Sequence, residues 1–295
     1  MRNRIHFFNL ILLFAVFAFL FPAHVSARGL ISTGMEIEIG RWVKASMFEE
    51  YDEWEDPDDI ALVNEIGEIL AGHATDRPGI KYEFYLLDTD EINAFAAPGG
   101  FIFVTRGLLD FVNRKPSLIA GVIAHEIGHV ERKHHRGSME QSIWGTIGLQ
   151  VLLHAFDLQD SKWVETAGEI ALVLFQQGYS REDEYDADRM GVLLTYRAGW
   201  DPERCLILFL EKLDEEYGSG NPLGDLGKIL ASHPPTDRRV HFAREYLSEL
   251  REKEEFVEKP YPRVERSRRG SGRDRSATAR TDNSRNRVVI WERDK

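Results

Sequence analysis

The chain is organised around the stretch Ala124-His125-Glu126-Ile127-Gly128-His129-Val130, which holds the pattern H-E-x-x-H. On a helix each residue turns about 100°, so His125 and His129 stand one turn apart, about 40° from each other. Two imidazoles stacked in that way grip one tetrahedral zinc ion from the same side. Glu126 follows one residue on, within reach of a proton on water at such a metal. The same pattern also arises in core helices whose histidines are merely hydrogen-bonded, so its surroundings decide. Ser117 is placed to cap a helix, and Leu118, Ile119, Val122 and Ile123 give that helix an apolar face. His134 is nine residues past His125, about 900° of turn, and is expected on the opposite face of the same helix. A third ligand is therefore expected from another segment.

The 295 residues carry a net charge of -12, and the length suits one large domain or two small ones. Arg2 and Arg4 form a short basic start, Leu10 to Phe21 is unbroken apolar sequence, and Pro22 precedes the small residues Val25-Ser26-Ala27. Residues 1–27 are thus predicted to be a secretory signal peptide. The rival reading is an uncleaved anchor, but the apolar run falls short of the roughly 20 residues a spanning helix needs. The single cysteine, Cys205, sits in an apolar run and is expected as buried filler. With one cysteine no intrachain disulfide forms, so an exported fold stands on its core alone.

Residues 261–295 hold ten Arg and one Lys against three Asp and two Glu, so the acidic excess lies in the body. An acidic body with a basic tail argues against nucleic-acid binding. The Arg, Ser and Gly content beyond Pro260 predicts disorder. The tail's alternative use is contact with the acidic body or an anionic membrane, with Val288-Val289-Ile290-Trp291 as an apolar foot, although nothing requires membrane contact.

Taken in order, residues 28–55 give no periodic signal. Asp56-Pro57 starts a helix that Gly72 ends. Alternation predicts strands from Ile80 to Leu86, Ile92 to Ala96 and Phe101 to Thr105, with Pro98-Gly99-Gly100 as a tight turn. A short helix from Leu108 stops before Pro116, and the H-E-x-x-H helix follows. Residues 143–175 read as two buried helices broken by Asp157, Gln159, Asp160 and Lys162. Helices are also expected from Ser180 to Tyr196, Glu203 to Tyr217 and Asp237 to Glu258. Between the last two lie a flexible loop, Gly218 to Gly227, and the extended Ser232-His233-Pro234-Pro235-Thr236.

The segment Glu184-Tyr185-Asp186-Ala187-Asp188 is E-x-x-x-D on a helix, so Glu184 and Asp188 share one face. Glu184 suits a third zinc ligand, and Asp188 suits a partner for the free ring N–H of a ligand histidine. With Glu182, Asp183 and Asp186 nearby, a solvated acidic face stays open as the alternative.

Four segments together resemble the zinc metallopeptidase family that includes the membrane heat-shock protease HtpX, the CAAX prenyl protease and the beta-barrel assembly-enhancing protease. They are Asn93-Ala94-Phe95 through Pro98-Gly99-Gly100, the H-E-x-x-H helix, Ser180-Arg181 through Glu184 and Asp188, and Ser232-His233-Pro234 with Arg239. They occur in the family's order, and the likeness covers roughly residues 57–257. The resemblance implies an α+β, mostly helical gluzincin domain over residues 28–260, with a small sheet beside the active helix. It implies one zinc ion per chain on His125, His129 and Glu184, with Glu126 as general base. Unlike better-known members, the chain is expected to have no span after the signal and no carboxy-terminal helical repeat domain. A single-domain, exported, soluble version in a bacterial periplasm is expected.

Its substrates would be unfolded or misassembled envelope polypeptides, laid along the Asn93-Ala94-Phe95 strand by main-chain hydrogen bonds. Two roles are open for His233: stabilising the oxyanion of the transition state together with Arg239, or filling the metal's fourth position at rest. A latent zinc-bound chaperone or adaptor, and a membrane-anchored protease, stand as alternatives for the whole chain.

Overall fold

The first element is a helix that periodicity does not reveal. In the computed structural model, which describes residues 31–137, 178–218, 229, 232–233 and 237–262, α1 spans Thr33–Glu50. Ser32 caps it, its hydroxyl accepting from the Met35 N–H at 3.2 Å. The buried side of α1 consists of Glu36, Gly40, Val43 and Met47, a face with a charge and a glycine in it, and so no apolar stripe shows in the sequence. Arg77 meets Glu36 through two contacts of 2.7 and 2.6 Å, with both side chains almost fully buried. Arg77 Nη1 also donates to the Val130 carbonyl at 2.9 Å, which ties α1 to the end of the H-E-x-x-H helix.

Helix α2, Pro57–Ala71, begins and ends as its sequence predicts: Asp56 accepts from the N–H groups of Asp58 and Asp59, and Gly72 stops it. Three strands follow, β1 Glu83–Leu87, β2 Ala94–Ala97 and β3 Phe101–Thr105, in the order β1-β3-β2. The β1–β3 pair is parallel and the β2–β3 pair antiparallel, with Phe95 opposite Phe103 and Ala96 opposite Ile102. Strands β1 and β2 start later than the alternation from Ile80 and Ile92 predicts. Ile80 and Tyr82 pack against the core without joining the ladder, so the alternation there records burial, not pairing. The turn between β2 and β3 needs its glycines, since Gly99 and Gly100 have φ of 83° and 98°.

After the short α3, Arg106–Phe111, the H-E-x-x-H helix is α4, Pro116–Glu131. Its start differs from expectation. Pro116 occupies the first turn and Lys115 the cap position, so Ser117 lies inside the helix with its buried Oγ lacking a partner among the described residues. Every residue from Ser117 to Glu131 is buried. Ile119, Ile123 and Ile127 are at most 1 % exposed, and each such side chain contributes about 1.5–3 kcal/mol by leaving water.

Helix α5, Arg181–Ala198, opens with a capping box between Ser180 and Asp183 and ends at Gly199 in the left-handed region. It packs against α4. A Cβ at Gly128 would stand 2.8 Å from the Ala187 carbonyl, so glycine between the two histidines lets the helices approach. The predicted helix from Glu203 divides into a π-helical turn, Glu203–Ile207, and α6, Leu208–Gly218. Helix α7, Asp237–Lys253, is shorter than predicted. Beyond it the chain runs back over the end of α5, where the Lys259 N–H donates to Gly199 O at 2.7 Å and Trp200 Nε1 to Pro260 O at 3.2 Å.

Tyr261, grouped with the basic tail by composition, stacks on Trp200 at 5.3 Å with its hydroxyl 3.1 Å from the buried Cys205 Sγ. The fold is mostly helical with one small mixed sheet, as expected. Among the described residues no helix is long and apolar enough to cross a membrane. The predicted signal peptide, the helices of residues 143–175, most of the 218–227 loop and residues 263–295 lie outside the described residues.

Candidate active site

Three segments meet at one point. Helix α4 brings His125 and His129 with their Nε2 atoms 3.0 Å apart. Helix α5 brings Glu184, whose Oε2 lies 3.6 Å from His125 Nε2 and whose Oε1 lies 3.4 Å from His129 Nε2. The segment before α7 brings His233, with Nδ1 3.3 Å from His125 Nε2 and 3.0 Å from Glu184 Oε1. Ligands about 2.0–2.2 Å from a tetrahedral zinc stand about 3.3–3.6 Å from one another. Four buried donors, three nitrogens and one carboxylate oxygen, converge within 4.8 Å of one another, close enough for one ion to draw them onto that spacing. Three imidazoles this close are compatible only around a shared cation or shared protons. One zinc ion is the cofactor that this donor set suits.

The electrostatics also favour positive charge at the centre. Burial alone would raise Glu184, but the charges of Arg239 and His233 hold its carboxyl well below the usual range. Burial opposes charging His233, yet the carboxylates of Glu184 and Glu126 lift it to about 9. Burial keeps His129 well below the usual histidine range, so it is a neutral donor.

Glu126 sits beside this cluster. Burial raises its carboxyl, partly offset by His233 and His125 and by a hydrogen bond from the Ala96 backbone N–H. His233 Nε2 is 3.4 Å from Glu126 Oε1, while Oε2 is buried without a partner among the described residues. Such a carboxylate suits proton transfer at a water between it and the donors.

Asp188 and Arg239 adjoin the cluster, and Arg239 also lines the pocket that borders His125, Glu126 and His233. His125 Nδ1 is 2.9 Å from Asp188 Oδ1, a hydrogen-bond distance, although the ring N–H is aimed off that oxygen. Arg239 donates from Nε and Nη2 to Asp188 at 2.7 Å each, and its Nη1 is 2.7 Å from Glu184 Oε2. The sequence reading gives Arg239 to the oxyanion. The fold instead turns its guanidinium onto two buried carboxylates, where it balances their charge.

The expected substrate strand is also refined. Asn93 and Thr105 bond through Thr105 N to Asn93 O at 3.1 Å, and Phe95 stacks on Phe103 at 4.9 Å. In an antiparallel ladder the bonded pairs alternate, so Phe95 faces β3 and the backbones of Ala94 and Ala96 face outward. The outer side of β2 pairs with no strand among the described residues. The segment ahead of the prolines is not extended as expected. His233 N–H donates to Ile229 O at 2.8 Å, a helical turn that seats the ring in the site.

Two features escaped the sequence. Helix α4 ends at Glu131 and Lys133 has φ of 62°, so His134 is not carried to the opposite face of α4. The chain folds back and places His134 Nδ1 2.9 Å from His129 Nδ1. Tyr179, just before α5, stacks on His129 with ring centroids 3.6 Å apart and bonds through its hydroxyl to His135 Nε2 at 2.6 Å. The adjacent His134-His135 pair was a visible signal, but helix phase alone misplaces it.

Residues 58–247 match the profile of peptidase family M48. The chain is 30 % identical over 240 residues to the beta-barrel assembly-enhancing protease of Escherichia coli K12, a match covering 77 % of this chain and 46 % of that protein. It is 34 % identical over 161 residues to the mitochondrial metalloendopeptidase OMA1 of Arabidopsis thaliana, covering 55 % of this chain and 30 % of the relative. It is 27 % identical over 238 residues to a protease HtpX homolog of Polynucleobacter necessarius, covering 67 % and 76 %. This chain therefore spans about half the length of the assembly-enhancing relatives. The chain belongs to peptidase family M48, the family that the four segments of its sequence resemble.

Proposed function

We propose that this chain is a zinc-dependent endopeptidase that cuts extended, unfolded polypeptides in the bacterial envelope. The observation that carries this is the convergence of His125, His129 and Glu184 beside the buried, half-unpartnered carboxylate of Glu126. The name of the Escherichia coli relative, with its beta-barrel assembly, supports misassembled envelope proteins as substrates and, with the predicted signal peptide, a periplasmic setting. In this reading His125, His129 and Glu184 hold the zinc, which supplies Lewis-acid polarisation of a carbonyl and acidification of water.

The chain's own residues do the rest. The outward backbone groups of Ala94 and the carbonyl of Ala96, whose N–H is held by Glu126, bind a substrate strand by main-chain hydrogen bonds, which tolerate varied sequence. An apolar pocket lined by Val122, Leu206, Phe209 and Leu213 opens beside Glu126 and suits an apolar side chain next to the scissile bond. Glu126 accepts the proton of the attacking water and delivers it to the leaving amine. A fluorescent unfolded protein such as labelled casein should be degraded by zinc-loaded protein. The rate should fall to background with chelator and return on adding zinc. Chelator-insensitive cleavage, or none from stoichiometrically loaded protein, would overturn the assignment.

Of the two roles open for His233, its position supports the resting plug. Its Nδ1 stands among the donors and its Nε2 faces Glu126, so the ring fills the space a water and a substrate carbonyl need. His233→Ala is then expected to raise basal cleavage, by about tenfold if the plugged form outweighs the open one ten to one. A fall in turnover with zinc retained would assign His233 to the transition state.

A further inference from the structure

The fold devotes two residues to His129 that the reaction itself does not use. His129 is fully buried and makes three kinds of contact. Its Nε2 faces the donor cluster, its Nδ1 meets His134 Nδ1 at 2.9 Å, and one ring face lies on Tyr179 at a tilt of 17°. Two imidazole nitrogens 2.9 Å apart need one proton between them. If His129 offers its Nε2 lone pair to a metal, its proton is on Nδ1, and His134 Nδ1 must accept it. The His134 proton then sits on Nε2, which faces the carboxylates of Asp183 and Asp186 at 3.6 and 3.7 Å. The chain of contacts therefore selects one tautomer at each ring.

The backbone is shaped for this. Lys133 in the left-handed region ends α4 and reverses the chain, so that His134 reaches a ring five residues behind it. Tyr179 is itself anchored: its hydroxyl bonds to His135 Nε2, and its N–H donates to Ser232 O at 3.3 Å. It joins the start of α5 to the segment that carries His233.

We propose that His134 and Tyr179 are positioning residues for zinc binding: His134 fixes the Nδ1–H tautomer of His129 by accepting its proton, and Tyr179 fixes the ring plane by stacking. The proposal rests on His129 being a zinc ligand, as argued above. Asp188 has the matching place at His125, with Oδ1 2.9 Å from Nδ1.

The test is zinc affinity of the purified full chain, by competition with a chromogenic chelator, with thermal unfolding of the zinc-free protein as a fold control. His134→Leu removes the acceptor and keeps the bulk, and should weaken zinc binding about 10–100-fold, the usual effect of losing an outer partner. His134→Asn places a carbonyl oxygen near the site of Nδ1 and should stay within about threefold of the natural chain. A residue that only fills space would give the reverse ranking, because leucine replaces the lost volume better than asparagine. Tyr179→Phe, which keeps the stacking ring, should bind zinc within about threefold, and Tyr179→Leu should lose about tenfold. The inference is overturned if His134→Leu binds zinc as tightly as the natural residue, or if His134→Asn is as weak as His134→Leu. A natural chain that binds no zinc overturns the underlying assignment of His129, and the variant ranking then has no meaning.

Discussion

Glu126→Gln is expected to keep one zinc per chain and to lose about 10²–10⁴ in turnover of an unfolded substrate, the usual contribution of a positioned acid–base group. Glutamine has nearly the shape of glutamate, so the helix and the three ligands keep their places. What disappears is a carboxylate able to take a proton and return it. The surroundings of Glu126 fit that task. Burial raises its affinity for a proton, while the neighbouring histidines and the Ala96 N–H oppose the rise. One oxygen is engaged by neighbours, and Oε2 stays without a partner among the described residues. The variant separates two roles that truncation would mix. Loss of zinc along with activity would make Glu126 a structural part of the metal site, and retained activity would assign the base elsewhere. Because substrate binding should survive, the same variant would hold uncut chains long enough to identify them by mass spectrometry.

Much of this site was legible because helices impose phase. The four-residue spacing of His125 and His129 and that of Glu184 and Asp188 each fix a face, and the fold turns those faces toward each other across Gly128. Of the two caps expected, one was readable: Asp56 satisfies the first N–H groups of its own helix, whereas Ser117 lies inside α4, whose cap position is Lys115 because Pro116 takes the first turn. What failed was whatever depends on a distant partner. Helix α1 shows no stripe because it buries Glu36, and Glu36 is buried only because Arg77 arrives from 41 residues away. His134 was misplaced because helix phase says nothing about where the helix stops. Arg239 was given to the oxyanion because its spacing from His233 was visible, whereas its partners Asp188 and Glu184 lie about 50 residues earlier in the chain.

Arg239 carries the largest expected effect on stability. Its three nitrogens contact two carboxylates, Glu184 and Asp188, each about 1 % exposed. Breaking a buried ion pair by removing one partner costs about 3–5 kcal/mol, since the remaining charge stays buried without compensation. Arg239→Ala strands two such charges, so zinc-free protein is expected to melt on the order of 10 °C lower at neutral pH. Arg239→Lys should fall between, since an ammonium supplies the charge without the fork that reaches both carboxylates. Acid should distinguish charge loss from lost packing. In the natural chain burial opposes the charged forms, but Arg239 holds both carboxyls below their ordinary values. Their contribution is therefore present above the unfolded carboxyl range and fades as pH falls through the lower folded values. Without Arg239 burial is opposed only by His233 and His129 at Glu184 and by His125 at Asp188, so both groups rise and protonation relieves the variant at a higher pH than in the natural chain. The gap in melting temperature should be widest near neutrality and should close on acidification. A zinc-loaded sample should show a smaller gap at every pH, because the bound cation meets part of the charge of Glu184. A gap that stays constant with pH would assign the loss to packing around the guanidinium, and no gap at all would remove Arg239 from the support of Glu184.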